Sequence, residues 1–472
     1  MADHAPGSLQ DLMDGVPDLV DYFTNDTKAP HDKDNMSLSP IPAEYTNWYE
    51  EQRAWRNSVL LFDQCHHMPE SFISGPDALR LLGEVGVNNL RNFGPLKARQ
   101  YYAVNHNGYF IGECILQHLD DGRFELISGM HLQNWVQFNA ETGGYDVEVV
   151  RDHQTSMNPR GRTFYRYQLD GPNAAAMFDE LCDGGAPDMP FFSLARVRIR
   201  GHSALALRHS VAGHGGVELS GPADEGADML RILLETGERH GLLRSGLKTY
   251  YSVQAEVGWV GYPTPAIYDD ERMRAFREWL PATSWEARTQ LGGSFRSSDI
   301  ADYYVTPWDL GLEKRIDLNH AFIGRDALLQ MANRRHRVKR MLVWDADDVT
   351  RIFRSRLEPG VPFKHMDMPK ASYSFQQVDE VRAGAGQLVG VSGYVGYTAN
   401  ESKFLSVAFL DPDHADLGNE LYVVWGEPDG GSRKPNVEPH RQTKVKTTVA
   451  TAPYSSQVRE MKNASLVHAQ AG

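Results

Sequence analysis

Residues 71–82 read "SFISGPDALRLL", and residues 167–178 read "YQLDGPNAAAMF". Each is a short run rich in apolar side chains, then Gly-Pro with Asp or Asn, then small and apolar residues at helical spacing. That order predicts strand, turn and helix, with the proline in the first helical turn. Its recurrence predicts two related α+β units in one chain.

The same reading extends outward. "AEYTNWYEEQRAWRNSVLLFDQ" predicts a helix running into a strand, and "ARQYYAVNHNGYFIGECILQHL" two strands around the turn "NHNG". "HLQNWVQFNAET" and "DMLRILLETGERHG" read as helices, and "YDVEVVRD" as a strand. Beyond about residue 335 the texture becomes short strands with Gly-rich turns, including "KRMLVWDADD", "QLVGVSGYVGYTAN" and "NELYVVWGE". That predicts a β-barrel or sandwich. The expected organisation is an N-terminal extension (1–40), two interleaved α+β units (41–285), a connecting segment (286–335), a C-terminal β domain (336–455) and a loosely held tail (456–472). The fold class is α+β.

Bulk properties exclude several classes of function. The 472 residues carry a net charge of −14, a poor match for a nucleic-acid backbone, which needs a basic surface. No run approaches the ~20 apolar residues of a membrane span. Cys65, Cys114 and Cys182 stand far apart without a C-x-x-C, which speaks against a disulfide framework or structural zinc and for a reducing cytoplasm. Glycines in "RAGAGQLVGVSG" lack the G-x-G-x-x-G spacing and read as a turn.

The densest chemistry lies in "FDQCHHM", residues 62–68. Adjacent His66 and His67 on a strand point to opposite faces, so they are poor joint metal ligands. No metal is expected. Cys65 as a nucleophile would need a thiolate-stabilising site that nothing else supplies. A hydrogen-bonded histidine at a domain seam is the plain alternative.

The chain resembles the folate-dependent aminomethyltransferase family, typified by the T-protein of the glycine cleavage system. "SGPDALRLL", "LDGPNAAAMF", "GHGGVELSGP", "FIGRDALLQ" and "GYTANESKFLSVAFLD" carry the likeness. Within that family it looks more like the tetrahydrofolate-dependent aryl O-demethylases, through "NWYEEQRAWRNSVLLFDQCHHM", "GWVGYPTPAIY", "LGGSFRSSDIADYYVTPWDLG" and "VVWGEPDGGSRKPNVEPHRQ". The resemblance implies a three-domain, cloverleaf-like fold around a central channel, the third domain being barrel- or jelly-roll-like. It also implies transfer of an aryl ether's methyl group to N5 of tetrahydrofolate as co-substrate.

Roles follow from the resemblance alone. Tyr250, rather than Tyr251, matches the tyrosine that serves as hydrogen-bond donor to the leaving oxygen. Gln64 and His67 match the substrate-site pair. Glu218 matches the acid that receives the pterin head, and Trp259 a tryptophan lining the folate site. Since alternation sets Gln64 and His67 on opposite faces, the strand must end or turn between them. Gly129 stands where vanillate-type enzymes carry a carboxylate-pairing arginine, and Met36 and Leu38 where tyrosines line their substrate site. The substrate expected from that shift is a methoxybenzoate with the methoxyl ortho to the carboxylate, chlorinated as in dicamba, or a neutral methoxyphenol. Competing expectations are a vanillate- or syringate-type demethylase, a folate-dependent transferase acting on a non-aromatic donor, and a non-catalytic folate-binding protein.

Overall fold

The computed structural model describes residues 6–27, 40–210, 215–371, 373–384 and 386–460. The two Gly-Pro motifs share one local geometry. Gly75 has φ +115° and Gly171 φ +131°, and a Cβ there would stand 2.4 Å from the Asp146 carbonyl oxygen or 2.3 Å from that of Ser58. Only glycine fits such a φ with a neighbouring strand so close. The amide of Ala78 then donates to Gly75 O at 3.2 Å, and that of Ala174 to Gly171 O at 3.1 Å. Asp77 (φ −94°, ψ 2°) and Asn173 (φ −91°, ψ −1°) occupy matching backbone positions. These values define a type I turn with proline at its second position. Pro76 and Pro172 therefore precede the helices Ala78–Val85 and Ala174–Leu181 and do not enter their first turns.

Two sheets follow from the two units, but the chain interleaves them. One sheet runs β11 (Leu242–Arg244), β1 (Val59–Asp63), β7 (Phe164–Asp170), β10 (Gly216–Pro222), β9 (His202–Arg208) and β8 (Leu194–Ile199). The other runs β3 (Lys97–Val104), β4 (Phe110–His118), β5 (Phe124–Ile127), β2 (Glu70–Ser74) and β6 (Glu148–Asp152). β1 precedes the first Gly-Pro motif yet pairs with β7 of the second. Residues 64–69 are thus the crossover from one sheet to the other.

On the first sheet, Val59, Leu61, Tyr167, Leu169, Val217 and Leu219 point to one face. There they pack on Met177, Phe178, Met229 and Leu233 of the covering helices. The opposite face carries Phe62, Arg166, Gln168 and Glu218, because β1, β7 and β10 pair Phe62 with Gln168 and Gln168 with Glu218. A sheet with one polar face is expected to turn it to water. Here Arg166, Gln168, Asp170 and Glu218 are all buried.

The third part is a closed antiparallel barrel of β12 (Val338–Trp344), β15 (Lys403–Leu410), β14 (Gln387–Thr398), β13 (Asp379–Ala383), β16 (Glu420–Trp425) and β17 (Thr443–Ala450). Leu342, Val381, Val389, Trp425 and Val445 fill it. "WDADD" does not continue as strand. Asp345 accepts from the amides of Asp347 and Asp348 and caps the helix Ala346–Ser355, which buries Val349 and Ile352.

The helix Leu247–Val257 is wedged between this barrel and the helix Trp48–Asn57. Buried Glu256 accepts from Trp55 Nε1 (3.2 Å), Thr398 Oγ1 (2.9 Å) and Asn400 Nδ2 (3.0 Å), and is paired with Arg56. Gln52 Nε2 donates to Ser252 Oγ at 2.7 Å. The rotation of the Leu247–Val257 helix, and hence the aim of Tyr250, is set by contacts from both sides.

At the N-terminus, Leu9 and Phe23 are buried in the first core, and the helices Leu9–Gly15 and Leu19–Asn25 pack on the body. Past residue 455 the chain is not loose at once: Val458 is fully buried against Trp55 and Phe62. No helix among the described residues is long and apolar enough to cross a membrane.

Candidate active site

β1 stops at Asp63, and residues 65–67 form a turn. The strand therefore ends where the joint use of Gln64 and His67 requires it to. The turn swings His67 toward the helix Leu247–Val257, and His67 Nε2 lies 2.8 Å from the Tyr250 hydroxyl. The two rings meet edge to face at 4.8 Å between centroids, with Phe62 packed on Tyr250 from the other side.

Burial is the main cause of the electrostatics here. It pushes the His67 imidazole down to about 4, helped by His66 and Arg162. It holds the Tyr250 phenol well above its ordinary value, with Tyr262, Tyr251 and Glu218 adding to the effect. Both groups are neutral at neutral pH. Burial, together with nearby Asp63, also raises the Cys65 thiol, and Cys65 Sγ is spent on the Arg166 backbone (3.2 and 3.4 Å). A protonated, buried thiol is no nucleophile.

Gln64 is buried close to His67 in the chain, but its amide nitrogen faces Gln168 Oε1 at 3.4 Å, and among the described residues its Oε1 has no partner. Among the described residues His209 Nδ1 and Ser210 Oγ are likewise buried without partners. Buried polar atoms are normally satisfied, so unpaired ones on a polar sheet face mark a place for a polar ligand. A pterin, with donors and acceptors along one edge, fits that need.

Glu218 is buried on the same face, two strands from Phe62. It does not stand alone there, because its carboxylate is paired with Arg166. Arg166 also reaches Glu70 at 2.9 Å and Glu125 at 2.7 Å, across the gap between the sheets. Arg162 lies 3.3 Å from both Glu70 and Asp152. Two guanidinium groups thus face four carboxyl groups. Burial raises the Glu125 carboxyl to about 8, opposed by Arg166 and aided by Glu70 and Glu218. Because that value lies above its unfolded one, the proton it holds stabilises the fold at low pH. The stabilisation is lost as pH rises through about 8. Glu125→Gln should flatten the decline in melting temperature between pH 6 and 9, and an unchanged slope would refute this assignment.

Trp259 follows the end of the Leu247–Val257 helix, and its indole N–H donates to Glu113 Oε1 at 2.6 Å. It packs on the same small cluster as Tyr250. Gly129 adjoins that carboxylate's backbone: with φ +68°, a Cβ there would lie 1.9 Å from Glu113 O. Its neighbour Ser128 donates to Pro69 O at 2.9 Å, two residues beyond His67. No side chain fits at 129. Left-handed backbone alone costs an L-residue about 1–2 kcal/mol, and the clash adds to that. Gly129→Arg should therefore lower the melting temperature without improving turnover of vanillate.

The structure thus joins His67 to Tyr250, puts Trp259 on the same apolar cluster as Tyr250, sets Gln64 and Glu218 along the polar sheet face, and lays Gly129 against the backbone of Glu113. Among the described residues no hydrogen bond or ring contact joins Tyr251 to His67; its ring meets Tyr250. Met36 and Leu38 lie outside the described residues. Arg166, Glu70, Glu125, Gln168 and Glu113 were not anticipated. Among the described residues no cluster of His, Cys, Asp and Glu has the form of a metal site.

The GCVT N-terminal domain family matches residues 36–275. A syringate O-demethylase from a Sphingobium species is 39% identical over 96% of this chain and 97% of its own length. The chain belongs to this family. A sesamin methylene transferase from a Sinomonas species is 26% identical over 89% of this chain and 91% of its own. The glycine cleavage aminomethyltransferase T of Bartonella henselae shares the fold, with TM-score 0.60 and 17% identity over 88% of this chain and 92% of that one. The chain is an enzyme of this family, a methyltransferase that uses tetrahydrofolate as methyl acceptor.

Proposed function

We propose that the enzyme removes the methyl group of an aryl methyl ether. The observation that carries this reading is the 2.8 Å contact between His67 Nε2 and the Tyr250 hydroxyl, at the end of a buried polar sheet face. A methyl ether reacts only if its oxygen is assisted as the C–O bond breaks. When His67 carries its proton on Nε2, it donates to the Tyr250 oxygen. The phenol proton is then free to donate to the ether oxygen, which leaves as a phenol. Neutral His67 keeps this tautomer available across the physiological range. Tetrahydrofolate, when bound, supplies N5 as the methyl acceptor and an N5 proton that balances the phenol formed. Glu218 and Gln64 would receive its polar edge, and Trp259 offers a flat wall to its rings. Fixing the reactants in line can supply several kcal/mol of the barrier.

The substrate is proposed to be a methoxybenzoate. The absence of room for a side chain at Gly129 supports a carboxylate placed differently from that of vanillate, as in an ortho-methoxybenzoate, chlorinated ones included. The name of the Sphingobium relative supports a syringate-type substrate instead. Incubation with tetrahydrofolate and syringate, vanillate, 2-methoxybenzoate and its chlorinated forms, reading 5-methyltetrahydrofolate, decides between them. No product from any aromatic ether would sink the proposal. Vanillate turned over as well as or better than the ortho ethers would remove the ortho reading.

A further inference from the structure

Lys370 lies half-buried beside the Leu247–Val257 helix, where its backbone bridges to Gly396 of the barrel strand β14. Its ammonium stands 5.3 Å from the centre of the Tyr251 ring and 3.4 Å from Gln254 Oε1. Among the described residues no carboxylate pairs with it. Among the described residues, two fully buried lysines are more closely held: Lys364 meets Glu427 at 2.6 Å, and Lys434 meets the carbonyl oxygens of Phe23 (2.8 Å) and Leu291 (3.3 Å). Burial draws the Lys370 ammonium down to about 8, with no acid opposing it. A cation held out of water without an acid partner costs the fold energy, and an arriving anion recovers it.

Its neighbours are those of the site. Tyr251 stacks edge to face on Tyr250, with ring centroids 5.8 Å apart. Gln254 lies one turn further on. A Cβ on Gly261 would meet Gln254 Nε2 at 2.8 Å and the Trp259 indole at 2.9 Å, so Gln254 and Trp259 flank one point of the chain. Lys370 is therefore one side chain removed from both Tyr250 and Trp259. At Gly129, by contrast, no cation can stand.

We propose that Lys370 is a carboxylate-binding residue, receiving the anionic end of a ligand that lies between Tyr250 and Trp259. This rests on those two residues lining the site described under Proposed function. Two ligands carry the required chemistry: a methoxybenzoate, through its ring carboxylate, and tetrahydrofolate, through its glutamate. An ammonium fits either as a point charge, through a charge-assisted hydrogen bond.

Calorimetric binding to the full chain separates the sources. The pairs are tetrahydrofolate with 6-methyltetrahydropterin, which keeps the reduced pterin and carries no carboxylate, and syringate with 2,6-dimethoxyphenol, which lacks the carboxylate. Lys370→Met should weaken one acid roughly tenfold or more and its carboxylate-free counterpart less than about twofold, a loss typical of one charged hydrogen bond. Lys370→Arg should retain most of the affinity. The acid that suffers identifies the ligand. Equal losses for acid and counterpart, or no loss for either acid, would overturn the proposal. Ligand-free Lys370→Met should melt no lower than the parent, since it removes a partly buried charge that no acid neutralises; a marked drop would make Lys370 structural and also overturn it. Binding is read here without turnover. A failure of every aryl ether to yield 5-methyltetrahydrofolate would thus count against the reaction and leave this result interpretable.

Discussion

Tyr250→Phe is expected to lower the rate of 5-methyltetrahydrofolate formation by about 10²–10⁴-fold, the range of a lost general acid. The ring remains, so its packing on Phe62 and its edge contact with His67 survive. What disappears is the hydroxyl that lies 2.8 Å from His67 Nε2. The loss should fall on kcat, because the donor is needed most where negative charge develops on the leaving oxygen. Tetrahydrofolate binding should change little, since Glu218, Gln64 and Trp259 are untouched. His67→Ala should show a smaller loss of the same kind, as Tyr250 would keep its proton but lose its orientation. The pH profile carries a second check. With His67 held near 4 by burial, no limb of kcat between pH 5 and 7 should belong to it. Unchanged turnover by Tyr250→Phe would remove the phenol from the mechanism altogether.

Local signals made much of the fold legible. The Gly-Pro turns were readable because both glycines answer the same constraint, a positive φ with a neighbouring carbonyl pressed against Cα. The strand textures after residue 335 became the closed barrel. The helix Ala346–Ser355 was hidden because its Asp-rich start reads as a strand end until Asp345 is seen capping it. For the site, His67 and Tyr250 came from resemblance, and alternation added the condition that the strand break at residue 64. The charged cluster behind Glu218 was not legible. In "YRYQLD" the polar residues alternate with Tyr and Leu, which is the pattern of a half-solvated strand. Its polar side is buried only because β7 lies between β1 and β10 and faces a second sheet, a fact of long-range pairing. No window of sequence contains it.

That cluster is where the largest loss of stability is expected. Arg166→Leu should destabilise the fold by about 3–5 kcal/mol, the typical result of stranding buried charges. The guanidinium is almost wholly buried and is shared by Glu70, Glu125 and Glu218, one from each of three strands in two sheets. Without it, three carboxyl groups remain in a space that already forces Glu125 up to about 8. They would take up protons, and each proton held costs free energy that grows with pH. The defect should therefore be worse at pH 8 than at pH 6, read as the denaturant midpoint at each pH. Against a total stability of about 5–15 kcal/mol, such a loss can leave the chain largely unfolded. Adding Glu70→Gln and Glu125→Gln to Arg166→Leu should restore part of the stability, because neutral amides remove the repulsion that the arginine had balanced. If the triple variant is no more stable than the single one, the arginine acts by packing and not by charge. Tetrahydrofolate affinity gives the functional counterpart. With Glu218 released from Arg166, its carboxylate is free to move, so a rescued triple variant should fold yet bind the co-substrate more weakly than the parent.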